Sequence, residues 1–277
     1  MKTNVLFLLC TGMLFGACEV NSIDCGCEGP KSMVQSYIRQ FMSSDTLKIR
    51  PAIGGFDVDE NTRIIQLNTG KEPVGVSSVS EHINFYLYLE PFHVNNGGVF
   101  LYNCAENLNY PSDDCMEVTN KYNAQVKEIG DTSFNREIAL NLNNLADATL
   151  GKIASVSITG DKDFSAAYPA GSSLNDLFTI YFNDPIAVIK NNYQQVEGTY
   201  RYHEEFYVNP TYPFAIYKEK LSAVNFPERP FIDYRWVVVL DVAPQTTGLY
   251  TFYVTVTLED GKALVATTAF NIAGATE

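Results

Sequence analysis

The alternation of apolar and polar positions is clearest near the C-terminus, where residues 248–270 read GLYTFYVTVTLEDGKALVATTAF. Apolar side chains such as Phe252 and Val254 alternate with hydroxyl-bearing or aromatic ones, and this period of two predicts a half-buried β-strand. Asp260 and Gly261 tolerate the positive φ angles of a type I′ turn. The segment therefore predicts a β-hairpin with a two-residue loop.

A two-residue loop also fixes the expected register of this hairpin. It places Glu259 opposite Lys262, which would be an opposite-charge cross-strand pair. The same register pairs Leu258 with Ala263, Val256 with Val265, Val254 with Thr267 and Phe252 with Ala269.

Similar patterns predict strands along most of the chain from Thr46 onward. Residues 83–90, INFYLYLE, give the strongest of these signals because aromatic and β-branched residues dominate there. The turn residues at 95–98 predict that this strand forms a hairpin with the next one. Further strands are predicted at residues 47–50, 63–68, 99–103, 136–142, 153–159, 178–182, 200–208 and 232–242. Residues 232–242 have apolar residues on both faces, which predicts burial on both sides.

The secondary structure of residues 34–41 is ambiguous. Val34, Tyr37, Ile38 and Phe41 have the spacing of a short helix, although a strand remains an alternative for so short a segment. The prolines between residues 209 and 230 predict a loop with short extended pieces.

Short strands separated by turn signals predict an all-β protein with immunoglobulin-like β-sandwich architecture and at most one short N-terminal helix. The length allows one large sandwich or two ordinary ones, and we prefer two packed modules. The polar stretch at residues 143–151 is the best boundary. The expected division is a signal peptide at 1–17, a tether at 18–35, an N-terminal β domain at 36–147 and a C-terminal immunoglobulin-like sandwich at 148–277.

The leader, MKTNVLFLLCTGMLFGAC, contains a short apolar run that is typical of a signal peptide, whereas a membrane span needs about 20 residues. Gly16 and Ala17 before Cys18 resemble a bacterial lipobox, although Phe15 stands where that pattern prefers leucine. The resemblance implies cleavage before Cys18 and lipid attachment to its sulfur, and several acyl chains anchor stably. Glu19 is not the aspartate that commonly retains lipoproteins in the inner membrane, which favours the outer membrane. An ordinary secretory signal is the alternative.

The formal net charge of −13 limits the possible partners. Nucleic acids and anionic membrane surfaces are polyanions, so an acidic body disfavours both. The expected partners are the membrane, through the N-terminal lipid, and a glycan or protein ligand.

Cysteines in an exported protein suggest disulfides. Cys104 and Cys115 flank a polar, turn-rich loop and are the disulfide candidate. Cys25 and Cys27 lie in the tether, where they could pair with each other, stay reduced or bridge to the body. Their spacing fits neither a C-x-x-C redox motif nor a zinc site.

Residues 155–178, SVSITGDKDFSAAYPAGSSLNDLF, together with the C-terminal hairpin resemble uncharacterised lipoproteins of gut-type Gram-negative bacteria. This family is a domain of unknown function with immunoglobulin-like β architecture. The resemblance covers residues 153–272 and implies an envelope lipoprotein. It implies no catalytic motif and no mechanism.

Chemically active motifs are scarce. The sequence has no G-x-S-x-G elbow and no H-E-x-x-H zinc motif, so we predict no catalytic residue, no metal site and no cofactor. His203 and Glu205 share a strand face, which we interpret as an exposed polar surface rather than a metal site. Closely spaced aspartates at 57–60 and 161–163 could begin a calcium site, but turn formation is the preferred interpretation.

Aromatic residues offer the one candidate binding site. Flat rings on loops can stack on sugars, and loops on a rigid scaffold often carry recognition. The candidate glycan-binding residues are Tyr200, Tyr202, Tyr207, Tyr212 and Tyr217, and Tyr193 is a further single candidate. The alternative is that these rings pack the edge of the sandwich or a domain interface.

The sequence thus predicts a lipid-anchored cell-envelope protein that serves as a non-catalytic interaction or adhesion module. One alternative is a glycan-binding accessory protein of an outer-membrane uptake system. The other is an enzyme with a carboxylate-based site, because sequence does not show which acidic residues meet in space.

Overall fold

The computed structural model describes residues 31–43, 46–53, 56–67, 83–88, 100–102, 115–139, 146–202, 213–229, 231–233 and 235–275. This part of the chain is mostly β-strand in small sheets, with one long helix, so the all-β class is confirmed. The strands are β1 (Lys31–Val34), β2 (Ile38–Met42), β3 (Lys48–Ile53), β4 (Phe56–Asp59), β5 (Ile64–Leu67), β6 (Ile83–Tyr88), β7 (Phe100–Tyr102), β8 (Arg136–Ala139), β9 (Ala146–Thr149), β10 (Ile153–Gly160), β11 (Phe178–Asn183), β12 (Arg201–Tyr202), β13 (Ile216–Lys220), β14 (Arg235–Leu240), β15 (Gly248–Leu258) and β16 (Ala263–Ile272).

Two α-helices interrupt the strands: α1 (Cys115–Glu128) and α2 (Pro185–Lys190). The sequence analysis missed α1, although Tyr122 and Val126 lie four residues apart and are both buried. Asp184 caps the N-terminus of helix α2, because its side chain accepts a hydrogen bond from the N–H of Ala187 at 3.1 Å.

The largest sheet is antiparallel and has the strand order β13–β11–β14–β6–β3. A second antiparallel sheet, β10–β15–β16, shares a hydrophobic core with one face of the large sheet. In that core Phe178 of β11 meets Phe252 of β15 edge to face, with centroids 5.9 Å apart. The smaller sheets are β12–β5–β4, β7–β2–β9 and β1–β8, of which the first two contain a parallel pair.

The opposite face of the large sheet packs against a second cluster. Val237 and Val239 of β14 contact this cluster, which includes Ile65 of β5 and Tyr200. Trp236 on the other face of β14 belongs to the first core. Strand β14 therefore has both faces covered over residues 236–240, which confirms the predicted double-sided burial for that part of residues 232–242, whereas Val242 is exposed.

The C-terminal hairpin is present, but its predicted register is wrong by one residue. The observed pairs are Val256 with Leu264 and Val254 with Ala266. The loop has three residues, closed by the N–H of Leu258 donating to the carbonyl of Lys262 at 2.8 Å. Gly261 has φ +86°, which suits a type I turn followed by a left-handed residue.

This correction decides which side of β16 is buried, because a one-residue slip exchanges the two faces of a strand. Leu264 and Phe270 lie in the core, whereas Val265 is 59% exposed. The two-residue loop would have paired Val265 with the buried Val256.

The N-terminal helix option is also wrong. A bend at residues 35–37 separates β1 from β2, and both are strands. Val34 and Phe41 are buried, as the apolar pattern indicated, because the bend replaces the turn of a helix. Strand β1, which pairs with β8, lies within the stretch predicted as a tether.

Two other predictions near the middle of the chain need correction. The predicted hairpin between β6 and β7 does not form, because β6 has β14 and β3 on its two sides and β7 pairs with β2. The predicted polar break at residues 143–151 contains β9, a fully buried strand parallel to β2.

The predicted domain boundary falls inside connected structure. Strands β3 and β6 precede it, whereas β11, β13 and β14 follow it, and all five form one sheet. The division into residues 36–147 and 148–277 therefore does not follow the hydrogen bonding of the large sheet.

Candidate functional site: two clusters of charged side chains

Tyr200, the first of the predicted glycan-binding residues, belongs to a group that we call the surface cluster: Glu60, Tyr181, Tyr200 and Lys218. The Tyr200 hydroxyl donates to Glu60 Oε2 at 2.6 Å, and Lys218 Nζ donates to Glu60 Oε1 at 2.5 Å. The rings of Tyr181 and Tyr200 meet edge to face, with centroids 6.0 Å apart. The cluster thus links the turn after β4 to β11 and β13.

The electrostatics of the surface cluster keep each group in its ordinary protonation state at neutral pH. Hydrogen bonds from Lys218 and Tyr200 lower the pKa of Glu60. Burial opposes the charge of Lys218, but the hydrogen bond to Glu60 and the nearby Tyr181 raise its pKa overall. Burial raises the pKa of both Tyr181 and Tyr200. None of these groups exchanges a proton near pH 7, so the cluster is suited to holding the fold together.

The position of Tyr200 does not suit sugar stacking. Its side chain is only 7% exposed, and its ring faces Tyr181 and the guanidinium of Arg63, 5.8 Å from the ring centroid. Tyr200 is thus packed within the fold beside the edge strand β13, with which it forms an isolated bridge at Ile216.

Tyr217 is partly buried and packs against other side chains. Its ring stacks on Phe182 with an interplanar angle of 23° and a centroid distance of 5.9 Å. The guanidinium of Arg229 lies 4.1 Å from the Tyr217 centroid and is held by Glu219 at 2.6 Å and Asp184 at 3.5 Å. The guanidinium of Arg229 and the ring of Tyr217 therefore form a cation–π contact at the edge strand β13.

Tyr193 lies in a third aromatic group and is also buried. Its ring centroid is 5.4 Å from that of Phe134, and its hydroxyl accepts the N–H of Ser133 at 3.1 Å. Nearby, the fully buried Asp131 accepts the N–H groups of Tyr37 and Ile38 at 2.8 and 2.7 Å. This group fixes the bend between β1 and β2.

The other predicted site residues lie outside the part that can be described. Residues Cys18, Cys25, Cys27, Cys104, His203, Glu205, Tyr207 and Tyr212 are not among the described residues, and only the backbone is described for Cys115 and Tyr202. The glycan-binding alternative consequently depends on Tyr202, Tyr207 and Tyr212.

The aspartates considered as calcium ligands act in turns. Asp59 Oδ1 accepts the N–H groups of Asn61 and Thr62 at 2.9 and 3.2 Å, and Asp163 Oδ1 accepts that of Ala170 at 2.8 Å. The bonds of Asp59 are local turn bonds, as predicted, whereas Asp163 holds a residue seven positions further along the chain. Within the described ranges, no three histidine, cysteine or acidic side chains group in a way that could hold a metal ion.

A second charged group, which we call the buried cluster, was not predicted. It consists of Arg39, Asp147, Asp233 and Arg235. Arg39 Nη2 lies 3.5 Å from Asp147 Oδ1, and Arg235 Nε lies 3.8 Å from Asp233 Oδ1. Asp233 is 1% exposed and also accepts the backbone N–H of Arg235 at 3.0 Å.

Burial dominates the electrostatics of this cluster. It raises the pKa of Asp233 to about 6, against the attraction of Arg235 and with a further upward contribution from Asp147. Burial also raises the pKa of Asp147, although Arg39 and Arg235 oppose it. Carboxylates with raised pKa values occur in active sites and in structural ion networks alike. Here both carboxylates lie in the protein interior, which indicates a structural network.

Backbone hydrogen bonds tie the buried cluster into the fold. The N–H of Asp233 donates to the carbonyl of Asn183 at 2.9 Å, and the N–H of Thr149 donates to that of Ile232 at 3.0 Å. These contacts join β9, β11 and the segment that leads into β14. The alternation in residues 145–150, LADATL, was the sequence signal for the strand that carries Asp147.

No helix among the described residues combines the length and apolar character needed to cross a membrane. Comparison of the chain with known protein families, with curated proteins and with solved structures gave no match.

Proposed function

We propose that the protein is a lipid-anchored cell-envelope protein whose β body serves as an interaction or adhesion module and catalyses no reaction. The observation that carries this proposal is the sequence Gly16-Ala17-Cys18 directly after a short apolar leader. Cleavage before Cys18 and acylation of its sulfur would leave the acidic body tethered to the outer membrane.

The positions of the described carboxylates support a non-catalytic body. Asp59 and Asp161 accept backbone N–H groups, and Glu60 holds Lys218. Asp147 and Asp233 have shifted pKa values but are buried. An enzyme of the carboxylate type needs two carboxylates that reach a substrate, whereas each of these five is engaged in a contact within the fold or is buried.

The outer face of the β10–β15–β16 sheet supports an interaction role. Its strands contribute hydroxyl-bearing and small side chains together with exposed Leu249, Tyr253 and Val265. No charged residue lies in β15 or β16. Exposed large apolar side chains on a surface without charges are compatible with contact to a protein partner.

The immunoglobulin-like architecture is part of the same proposal. It is supported by the packing of the antiparallel β10–β15–β16 sheet face to face with the larger sheet across one core. The parallel pairs β2–β9 and β5–β12 are additions to such a sandwich.

The anchor can be tested by cell fractionation. We expect the wild-type protein in the membrane fraction and Cys18→Ala in the soluble fraction, because the variant lacks the acceptor sulfur. Cys25→Ala is the matched control and is expected to remain with the membrane. Membrane association of Cys18→Ala equal to that of the wild type would contradict the proposal.

A further inference from the structure

The sheet β10–β15–β16 has two edges, and only one of them receives hydrogen bonds from a neighbouring segment within the described structure. At the β10 edge, the N–H of Leu174 donates to the carbonyl of Ile158 at 2.8 Å. The Asn175 side chain donates to the carbonyl of Val156 at 2.8 Å and accepts the N–H of Ile158 at 2.9 Å. Leu174 and Asn175 thus make the hydrogen bonds that a neighbouring strand would make to the outward backbone groups of Val156 and Ile158.

Strand β3 of the facing sheet approaches β16, but among the described residues no segment hydrogen-bonds to the outward backbone groups of β16. Among the described residues, β16 pairs with β15 alone, in a continuous register of ten residue pairs. Its sequence, ALVATTAFNI, contains no charge and no proline. Edge strands usually carry charges, prolines or bulges that prevent pairing with another chain. Strand β16 has none of these features.

The outward-pointing backbone groups of β16 follow from its pairing with β15. Leu258 and Lys262 form a hydrogen-bonded pair, and such pairs recur at every second residue of an antiparallel ladder. The groups that point away from β15 therefore belong to Ala263, Val265, Thr267, Ala269 and Asn271. The side chains of these five residues are also the ones on the exposed face of the sheet.

We propose that β16 pairs with β16 of a second copy of this chain, antiparallel and about a two-fold axis, to form a continuous six-stranded sheet. A two-fold strand pair is complementary to itself and requires no other protein. The chain carries a net charge of −13, so two copies repel each other wherever acidic surfaces meet. The uncharged β16 edge is a place where that repulsion is small.

The register of this pairing is defined by the same geometry. An axis at Thr267 lets all five outward-facing residues join the new ladder. Thr267 then faces Thr267 of the second copy, and Val265 faces Ala269 of the second copy. Threonine pairs and apolar pairs are favourable across strands. An axis at Thr268 would leave the outward groups of Ala263 unused.

The proposed contact is small, so the dimer is expected to be reversible. One strand pair with its flanking side chains buries less than the roughly 1,600 Å² of a standard interface. We therefore expect a dissociation constant on the order of micromolar. The pairing does not depend on the lipid anchor, so failure of one proposal leaves the other intact.

Sedimentation velocity of the full-length chain in detergent, over a concentration series, tests the proposal. Thr267→Lys places two ammonium groups opposite each other at the axis and should raise the dissociation constant about tenfold. Thr255→Lys is the matched control, because it adds the same charge to the same face on the central strand β15. We expect the control to dimerise like the wild type.

A charge exchange makes the test specific for this register. Thr267→Glu alone should also weaken the dimer, and an equimolar mixture of Thr267→Glu and Thr267→Lys should restore it. Far-ultraviolet circular dichroism verifies that each variant is folded. The proposal is overturned by a wild-type monomer at every concentration, by a Thr267→Lys dimer as strong as the wild type, or by a mixture that does not recover.

Discussion

The buried and surface clusters contain the same kinds of ionic groups in opposite environments. In the buried cluster, removal from water raises the pKa of Asp147 against the attraction of Arg39 and Arg235, and the pKa of Asp233 against that of Arg235. In the surface cluster, Lys218 and Tyr200 outweigh a small burial penalty and lower the pKa of Glu60. The comparison shows that exposure to solvent decides the sign of the shift, even where oppositely charged partners are present in both clusters.

The two clusters should therefore differ in their contribution to stability. A buried pair costs much to break because the remaining charge is left without compensation, whereas an exposed pair contributes little. Both clusters connect strands that are distant in sequence, so each can be tested by single substitutions and unfolding in urea.

The largest effect is expected for Asp147→Ala. The change removes the carboxylate that faces Arg39 and that also attracts Arg235, and we expect the free energy of unfolding to fall by about 3 kcal/mol. Asp147→Asn, which keeps the shape of the side chain, is the control and should cost less. A loss below about 1 kcal/mol for the alanine variant would show that the buried cluster is not a structural link.

A smaller effect is expected from pH. The pKa of Asp233 is about 6 in the folded chain and 3.8 in the unfolded reference, so the folded state binds the proton more tightly. This contribution to stability is complete below pH 3.8 and is lost as the pH rises through 6. Between pH 7 and pH 5 the free energy of unfolding should therefore increase by about 1 kcal/mol.

Asp233→Asn provides the control for this pH dependence, because the amide does not titrate. The variant should show a flatter stability profile between pH 7 and pH 5. An unchanged slope in Asp233→Asn would assign the pH dependence to other buried carboxylates such as Asp131 or Asp184, whose pKa values burial also raises.

The smallest effect is expected in the surface cluster. Glu60→Gln removes the charge that faces Lys218 but keeps an acceptor for Tyr200, and should cost about 0.5 kcal/mol. The difference from the wild type should shrink in high salt because the pair is exposed to solvent. A cost as large as that of Asp147→Ala would erase the distinction between the two clusters.

The sequence predicted where strands lie better than it predicted which strands pair and in which register. The alternation in residues 248–258 identified β15, because one face of that strand is apolar and buried. The turn was ambiguous, since Gly261 with positive φ fits a two-residue loop as well as the observed three-residue loop. Local spacing also did not distinguish a helix from two strands around the bend that Asp131 stabilises.

The candidate site was harder to predict because its contacts join distant parts of the chain. Tyr200 and Tyr217 were recognised as aromatic residues of interest, but their partners Glu60 and Arg229 are set by the tertiary fold. Strand β9 was mistaken for a polar break because Asp147 is polar and yet buried. A single sequence gives no sign that an arginine elsewhere will accompany such an aspartate.

The central claim is that acylation of Cys18 anchors this body in the cell envelope. Mass spectrometry of the protein from its native host tests it most directly. The account predicts an N-terminal peptide that starts at Cys18 and carries a diacylglycerol on the sulfur and an acyl chain on the amino group. A peptide that spans this position with an unmodified sulfur, or a mature N-terminus beyond it, would contradict the account.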